Sequence, residues 1–296
     1  MNAKNMTKAL KSKVNDWLKS IGSEEVKKAI EEDAIITGGA LVSMLNSEPP
    51  NDYDIYFRTF DSCLKVARYY AEKWNESHPD KPKVQIKVDE DSKRITAYIH
   101  SKGVAVEDGE NPIDDESELI ETDPDVSETE KEQVQEEPKY RPRYFSTNAI
   151  ALSDKIQLVI RFYGSIEEIH TNYDFVHCTC SYDFKESKVN LPSRALEAII
   201  NKELYYVGSK YPLCSIIRTR KFIQRGWSIN AGQYLKMCLQ LQEINLKDLN
   251  TFADQLAGVD SAYFNQAIEA IRQKQEKEPD FKIDNTYLFE IINRIF

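Results

Sequence analysis

Hydrophobic and polar positions follow two different patterns along this chain. Up to about residue 190, short apolar runs typical of strands alternate with amphipathic helical stretches, whereas helical spacing prevails from Leu191 onward. We therefore expect an α+β fold, with a head domain over 1–190 that contains a mixed, twisted sheet with flanking helices, and a helical domain over 191–296. The pattern predicts helices over 4–32 (broken at Gly22-Ser23), 61–76 (capped by Asp61 or Ser62), 192–204 and 214–225, and strands over 83–88, 94–100, 145–152, 156–162 and 173–182.

The most informative stretch runs from residue 35 to 57, IITGGALVSMLNSEPPNDYDIYF. It predicts a short strand, a turn at Gly38-Gly39, one helix, a loop, and a strand on which Asp52 and Asp54 share a face, because strand side chains alternate. Two carboxylates on one face suit Mg²⁺, which takes hard oxygen ligands and binds phosphate oxygens as well. The glycine pair lets the backbone approach a triphosphate, and the next helix offers it free N–H groups.

Gly-Gly, twelve residues and then Asp-Tyr-Asp-Ile resembles the signature of the nucleotidyltransferase superfamily that includes DNA polymerase β. The residues of this stretch, GGALV and DYDI, are most similar to those in the head domain of poly(A) polymerases and tRNA CCA-adding enzymes. The resemblance implies a third carboxylate, which Asp174 supplies, and two Mg²⁺ ions held by Asp52, Asp54 and Asp174. It implies transfer of a nucleoside monophosphate from an NTP to an acceptor hydroxyl, an RNA or tRNA 3′ end, with release of pyrophosphate.

The helix predicted over 214–225 resembles the helix after the head of CCA-adding enzymes. Arg218, Lys221 and Arg225 fall within about 60° of one another on a helical wheel at ~100° per residue, and the resemblance implies that they bind nucleotide or acceptor phosphate. A simply solvated basic face is the alternative. The opposite side is expected to face the core through Leu213, Ile216 and Ile223.

The sequence also departs from the family pattern. Val42-Ser43 stands where the family has Arg-Asp, and Asn172-Tyr173 stands where two arginines precede the third aspartate. We find no clear Glu-Asp-x-x-Arg element, which templates CTP and ATP in CCA-adding enzymes, and this argues against CCA addition. Two other hypotheses therefore stay open: an inactive binding or structural module with the same fold, and transfer to a protein or small molecule.

An acidic segment interrupts the first domain over 104–138. It carries a net charge of −14, so the rest of the chain, whose total is −10, carries +4. The segment has few apolar residues, and they show no helical or strand periodicity, so it is expected to be a disordered insertion. It would act as a tether for a basic partner or as a mimic of nucleic acid that guards the cleft, or it is only a solvated loop. A mildly basic body suits a protein that handles nucleotides.

Composition points to a cytoplasmic protein. No apolar stretch approaches the length of a membrane span, so no membrane partner is expected, and the N-terminus lacks an apolar signal region. The five cysteines are odd in number and without framework spacing, which favours reduced thiols. Cys178, Cys180 and His177 lack a second ligand pair for a metal, so core packing is the favoured interpretation.

Overall fold

The computed structural model describes residues 1–89, 91–99, 105–106 and 139–256, together with a few positions between 271 and 290. The described residues form two compact units, one through Asn201 and the other from Lys202 onward. The first unit combines a sheet with helices, and the second is helical. The predicted α+β class, with a mixed sheet, flanking helices and a helical C-terminal region, is confirmed.

Most of the described strands join one mixed sheet. The strands are β1 (Ala34–Thr37), β2 (Tyr53–Phe57), β3 (Val84–Val88), β4 (Ile95–Ile99), β5 (Ala105–Val106), β6 (Pro142–Phe145), β7 (Ala149–Leu152), β8 (Ile156–Tyr163), β9 (Ser181–Asp183) and β10 (Lys188–Asn190). The order in this sheet is β10-β9-β1-β2-β8-β7-β6-β5, and β3 pairs with β4 as a separate antiparallel hairpin.

Strands β1 and β2 lie at the centre of this sheet. They pair antiparallel, with Ile36 opposite Ile55, and β2 pairs in parallel with β8, with Asp54 opposite Gln157. All four residues of β1 are buried, and Ala34, Ile35 and Ile36 are apolar, as a strand covered on both faces requires. The pairing fixes the register of β2 on both sides, so it also fixes the level at which the two acidic residues emerge.

The helices of the first unit begin at residues that cap them. These helices are α1 (Ala3–Lys19), α2 (Glu24–Asp33), α3 (Gly39–Leu45), α4 (Phe60–Ser77), α5 (Ile166–His170) and α6 (Ser193–Asn201). Ser23, at the predicted break, caps α2 by accepting a hydrogen bond from the Val26 N–H. The cap of α4 is Thr59, whose hydroxyl accepts from the Ser62 N–H, so the prediction of Asp61 or Ser62 was wrong.

Helices α1 and α4 share a buried interface. Trp17 and Tyr70 are both almost fully buried, and the Trp17 indole N–H donates to the Tyr70 hydroxyl at 2.6 Å. Trp74, one turn further along α4, packs edge-on against Phe145 of the sheet. Large aromatic side chains bury the most apolar area per residue. The Trp17 N–H and the Tyr70 hydroxyl, both buried, are hydrogen-bond partners of each other. The two helices therefore brace the sheet.

Helix α1 also contacts the start of β2. Lys13 extends between the rings of Tyr53 and Tyr140, with its Nζ 5.3 Å and 4.8 Å from the two ring centroids, and it donates to the Asp154 carbonyl. Burial lowers the pKa of Lys13. The Tyr53 N–H in turn donates to the Lys155 carbonyl at 2.8 Å. The first residue of β2 is thus held from both the helix side and the turn between β7 and β8.

Helix α7 begins the helical part of the second unit, which comprises α7 (Pro212–Gln224), α8 (Ala231–Leu241) and α9 (Leu249–Leu256). Leu213 and Ile217 pack against Leu256 of α9. Ile223 is 46% exposed, so the prediction that it faces the core was wrong. The side of α7 that is buried carries Cys214, Ser215 and Thr219, because the small and weakly polar residues of this helix fit close packing.

Two strand predictions were also wrong. The run over 145–152 is divided, because Ser146 forms a turn between β6 and β7, with its side chain accepting from the Ala149 N–H at 3.0 Å. The run over 173–182 is not one strand: it contains a 3-10 helix over Val176–Thr179, and only Ser181–Asp183 pairs as β9. The sequence over 173–182 has the alternation that is typical of a strand, but few of these residues pair with another strand.

The predicted acidic insertion is described only in part. Ala105 and Val106, at the start of this segment, form β5 and pair with β6, and the disorder expected of the segment as a whole stays a prediction. The remaining residues of 104–138 lie outside the described part of the chain. In the helices that are described, none combines the length and apolar character that a membrane span requires.

Candidate active site at the glycine turn

Gly38 turns the chain between β1 and α3. Its φ is +92° and its ψ is −145°, a conformation that L-residues with side chains rarely adopt. Gly39 has no positive φ and begins α3. The structure therefore separates the roles of the two glycines: Gly38 makes the sharp turn, and Gly39 opens a short helix.

Asp54 lies directly against this turn. Its Oδ2 atom is 3.2 Å from the position that a β-carbon on Gly38 would occupy. The antiparallel register explains the approach, because pairing of Ile36 with Ile55 brings the residues after Ile36 alongside those before Ile55. Asp54 is partly exposed and Asp52, just before β2, is exposed. Strand alternation places Asp52, Asp54 and Tyr56 on the same side.

Tyr173 is the third side chain at this turn. Its hydroxyl oxygen is 3.5 Å from the same β-carbon position on Gly38, and it forms hydrogen bonds with Thr37 and Tyr56. Its ring lies 6.2 Å from that of Tyr56 and 5.1 Å from that of His170. Burial raises the pKa of Tyr173, and the nearby hydroxyl of Tyr56 and charge of Asp54 raise it further. The phenol is therefore neutral at physiological pH.

Thr37 and His170 form a polar support beneath the turn. The Thr37 hydroxyl donates to the Cys180 carbonyl at 2.8 Å and lies 2.8 Å from the His170 Nε2. Because the single hydroxyl proton is used toward Cys180, we assign the proton between Thr37 and His170 to Nε2. Burial lowers the pKa of His170, which favours the neutral ring. Sequence reasoning missed Thr37, whose signal was a polar residue at the end of an apolar strand.

Asp174 is buried in a bend just before the 3-10 helix, and not on a strand as predicted. Its charge acts on the fully buried His177, whose pKa burial lowers to about 4 although Asp174 acts in the opposite direction. The side chain that lies with Asp54 at the glycine turn is that of Tyr173, the residue before Asp174. Among the described residues, no three carboxylate, imidazole or thiol side chains are grouped so as to hold a metal ion. Metal binding by Asp174 stays a prediction.

The donor set at the turn nevertheless fits a hard divalent cation. Asp52 and Asp54 supply carboxylate oxygens only, on one side of one strand, and both are reachable from solvent. Mg²⁺ in enzymes is often bound by one or two carboxylates, with water and substrate phosphate completing its shell. Asp54 lies beside Gly38 and Asp52 lies just before the same strand, and these two are the residues that would hold the ion.

The predicted basic residues lie in the second unit, on α7. Arg218 and Lys221 are partly buried, and Arg225 is exposed at the C-cap, followed by Gly226 with a φ of +79°. The exposed fraction thus differs among the three residues that the helical wheel grouped. The role of these three residues in binding phosphate stays a prediction.

Comparison with known proteins identifies the chain's relatives. A family model described as Gabija anti-defense 2 family protein matches residues 8–202. A curated relative named Gabija anti-defense 2, from Bacillus phage SPbetaL7, is 21% identical over 285 residues, covering 93% of this chain and 56% of the relative. The chain thus spans little more than half the length of that relative.

Several solved structures of CCA-adding enzymes also match. One titled as a CCA-adding enzyme complex with CTP is 10% identical, with a TM-score of 0.45, over 99% of this chain and 68% of the other. The Thermotoga maritima CCA-adding enzyme complexed with tRNA is 11% identical, with a TM-score of 0.40, over 88% and 53% of the two chains.

Proposed function

The chain belongs to the Gabija anti-defense 2 family, and we propose that it acts as a metal-dependent nucleotidyltransferase. It would move a nucleoside monophosphate from an NTP to an acceptor hydroxyl and release pyrophosphate. The observation that carries the proposal is the position of the Asp54 carboxylate against Gly38. A turn without a side chain would let the backbone approach a triphosphate, and Asp54 beside it, with Asp52 just before the same strand, would supply oxygen ligands for the cation that accompanies the triphosphate.

The proposed chemistry has few steps. The acceptor oxygen forms a bond to the α-phosphorus, the bond to the β-phosphate oxygen breaks, and pyrophosphate leaves. The hydroxyl proton passes to a carboxylate or to solvent. When bound, magnesium ions neutralise charge on the triphosphate and lower the pKa of the acceptor hydroxyl.

Within the chain, Gly38 and Gly39 would admit the phosphates, while Asp52 and Asp54 would hold the ions. Asp174 would join them as a ligand or general base. This last role requires a rearrangement that exposes Asp174, because its carboxylate is buried in the described structure. On α7, Arg218, Lys221 and Arg225 would supply positive charge to phosphates of the substrates.

An RNA 3′ end is the acceptor that we propose. The body of the chain outside the acidic segment is mildly basic, and a helical unit follows the sheet-containing unit. The relative's name describes an anti-defense protein, so we propose that the transfer serves to oppose the defence that the name mentions. Transfer to a protein or small molecule is the alternative within the same chemistry.

A second candidate is an inactive binding module. It is favoured by Tyr173, whose hydroxyl is hydrogen-bonded to Thr37 and Tyr56 beside Gly38, where a phosphate would approach. In that case the site would bind nucleotide, or a partner, without turnover.

One experiment separates these candidates. The protein is incubated with Mg²⁺, total RNA and each NTP labelled at its α-phosphate, and RNA and protein fractions are counted separately. Label in RNA supports the proposed transfer, and label in protein supports the other acceptor class. Nucleotide binding without label in either fraction supports the inactive module.

A further inference from the structure

The hydroxyl of Tyr173 lies where it can contact whatever approaches the glycine turn. It is 3.5 Å from the β-carbon position of Gly38, while Asp54 Oδ2 is 3.2 Å from that same position. A group that enters beside Gly38 therefore meets a carboxylate and a phenol together. The Tyr173 residue as a whole is partly exposed, whereas its phenol is buried enough for its pKa to be raised, so a ligand reaches the hydroxyl by displacing its neighbours.

Neighbouring side chains hold the phenol at this place. The ring of Tyr173 packs against the rings of Tyr56 and His170, and its hydroxyl is bonded to Thr37 and Tyr56. Thr37 is itself fixed by the Cys180 carbonyl. A ring packed on two sides loses little conformational freedom when a ligand binds, so only the hydroxyl has to exchange its hydrogen-bond partner.

We propose that Tyr173 is a nucleotide-contacting residue: when an NTP is held at Gly38, the hydroxyl exchanges its hydrogen bond within the Thr37–Tyr56 cluster for one that it donates to a phosphate oxygen, beside a cation that Asp54 would hold. This inference rests on the proposed function. A phenol donates one hydrogen bond and carries no charge. The hydrogen bond would therefore fix the orientation of the triphosphate, whereas the cation and basic residues would neutralise its charge.

The test measures equilibrium binding of ATP and AMP, each with Mg²⁺, to wild type and to Tyr173→Phe. This variant retains the ring and removes only the hydroxyl. Loss of a hydrogen bond to a charged group should weaken ATP binding by about 10-fold or more. AMP binding should change less if the contact is to the β- or γ-phosphate, so the preference for ATP over AMP should fall.

The matched control is Tyr163→Phe. The Tyr163 hydroxyl donates to the Lys93 carbonyl at 3.1 Å, and Tyr163 pairs with Phe57 at the other end of β2. We expect ATP affinity within about twofold of wild type, since this surface change removes one exposed hydrogen bond. The ratio of the two nucleotide affinities also protects the test against a partly unfolded sample, because unfolding lowers both apparent affinities by one factor.

The outcomes are distinguishable. Failure of wild type to bind ATP contradicts the proposed function itself. Binding by wild type together with unchanged or tighter ATP binding by Tyr173→Phe overturns the inference alone, tighter binding meaning that the phenol obstructs the turn. Should Tyr173→Phe not fold, Tyr173→Arg is measured: a cationic donor should keep the preference for ATP and make it more sensitive to salt, and loss of the preference overturns the inference.

Discussion

The Oδ2 atom of Asp54 lies 3.2 Å from the position that a β-carbon on Gly38 would occupy. This distance is shorter than an ordinary van der Waals contact, so residue 38 can carry no side chain without displacing the carboxylate. The absence of that side chain lets the Asp54 carboxylate lie directly against the turn that the proposal assigns to the phosphates. One relationship thus connects the turn, the strand register and the proposed chemistry.

Gly38→Ala should be clearly destabilising. The new β-carbon would crowd Asp54, and a non-glycine residue at a φ of +92° is strained, at a cost of about 1–3 kcal/mol in the free energy of unfolding. Urea denaturation measures this difference. Gly39→Ala is the matched control: nothing lies within 4 Å of its β-carbon position, and alanine in a helix should be neutral or stabilising by up to about 1 kcal/mol. Equal stability of Gly38→Ala and wild type would contradict this account of the turn.

Sequence patterns predicted the turn and strand β2 well, because their causes are local. Gly38 is required by one backbone conformation, and Asp52 and Asp54 lie on one side of a strand by simple alternation. Tyr173 was missed as a neighbour of Gly38, since its position depends on packing against Tyr56, which is distant in sequence, as well as on its local contact with His170.

The region after Tyr173 shows why the rest was harder to predict. Residues 173–182 alternate in a way that is typical of a strand, yet Val176–Thr179 forms a 3-10 helix. Thr179 closes this turn by donating to the Val176 carbonyl at 2.7 Å. Strand formation needs a partner strand, and a local pattern does not show whether one is available. The division at Ser146 had a visible signal, because Ser-Thr-Asn is typical of turns.

His177 should make stability depend on pH. Its pKa in the folded protein is about 4, below the ordinary 6.5, because it is buried. The unfolded chain therefore binds more protons between these values, so the stabilisation is fully present above pH 6.5 and is lost as pH falls toward 4, by about 3 kcal/mol. His177→Leu should reduce the slope of unfolding free energy against pH in that window, measured with a chelator present. Burial also lowers the pKa of His170, so part of the slope should remain.

Ile169→Val is the comparison for that measurement. Ile169 is fully buried and not titratable, so its truncation should lower the unfolding free energy by roughly 0.5–1.5 kcal/mol at every pH. The wild-type slope in His177→Leu would show that another group titrates in this window.

Arg225→Glu tests the basic part of α7. Arg225 is exposed, whereas Arg218 and Lys221 are partly buried, so its reversal should leave the unfolding free energy within ~0.5 kcal/mol of wild type. If it contacts acceptor phosphate, RNA affinity should fall, and the slope of log affinity against log salt should decrease by about 1. Fluorescence anisotropy with labelled RNA across a salt series measures both quantities.

Lys247→Glu makes the same charge change at another exposed position of the second unit. It should alter RNA affinity much less than Arg225→Glu. Equal losses in the two variants would mean that only net charge matters, and no loss in either would remove α7 from the acceptor surface.

The most direct test of the central claim compares pyrophosphate release by wild type and Asp54→Ala, with Mg²⁺, each NTP and total RNA. Asp61→Ala, which removes an exposed acid at the start of α4, serves as control. Wild type and Asp61→Ala should release pyrophosphate at similar rates, and Asp54→Ala should be slower by at least ~10²-fold, the usual loss for one transition-state contact. Release by Asp54→Ala at the wild-type rate, or no release by wild type with any NTP, would contradict the proposal that the Asp54–Gly38 site transfers nucleotides.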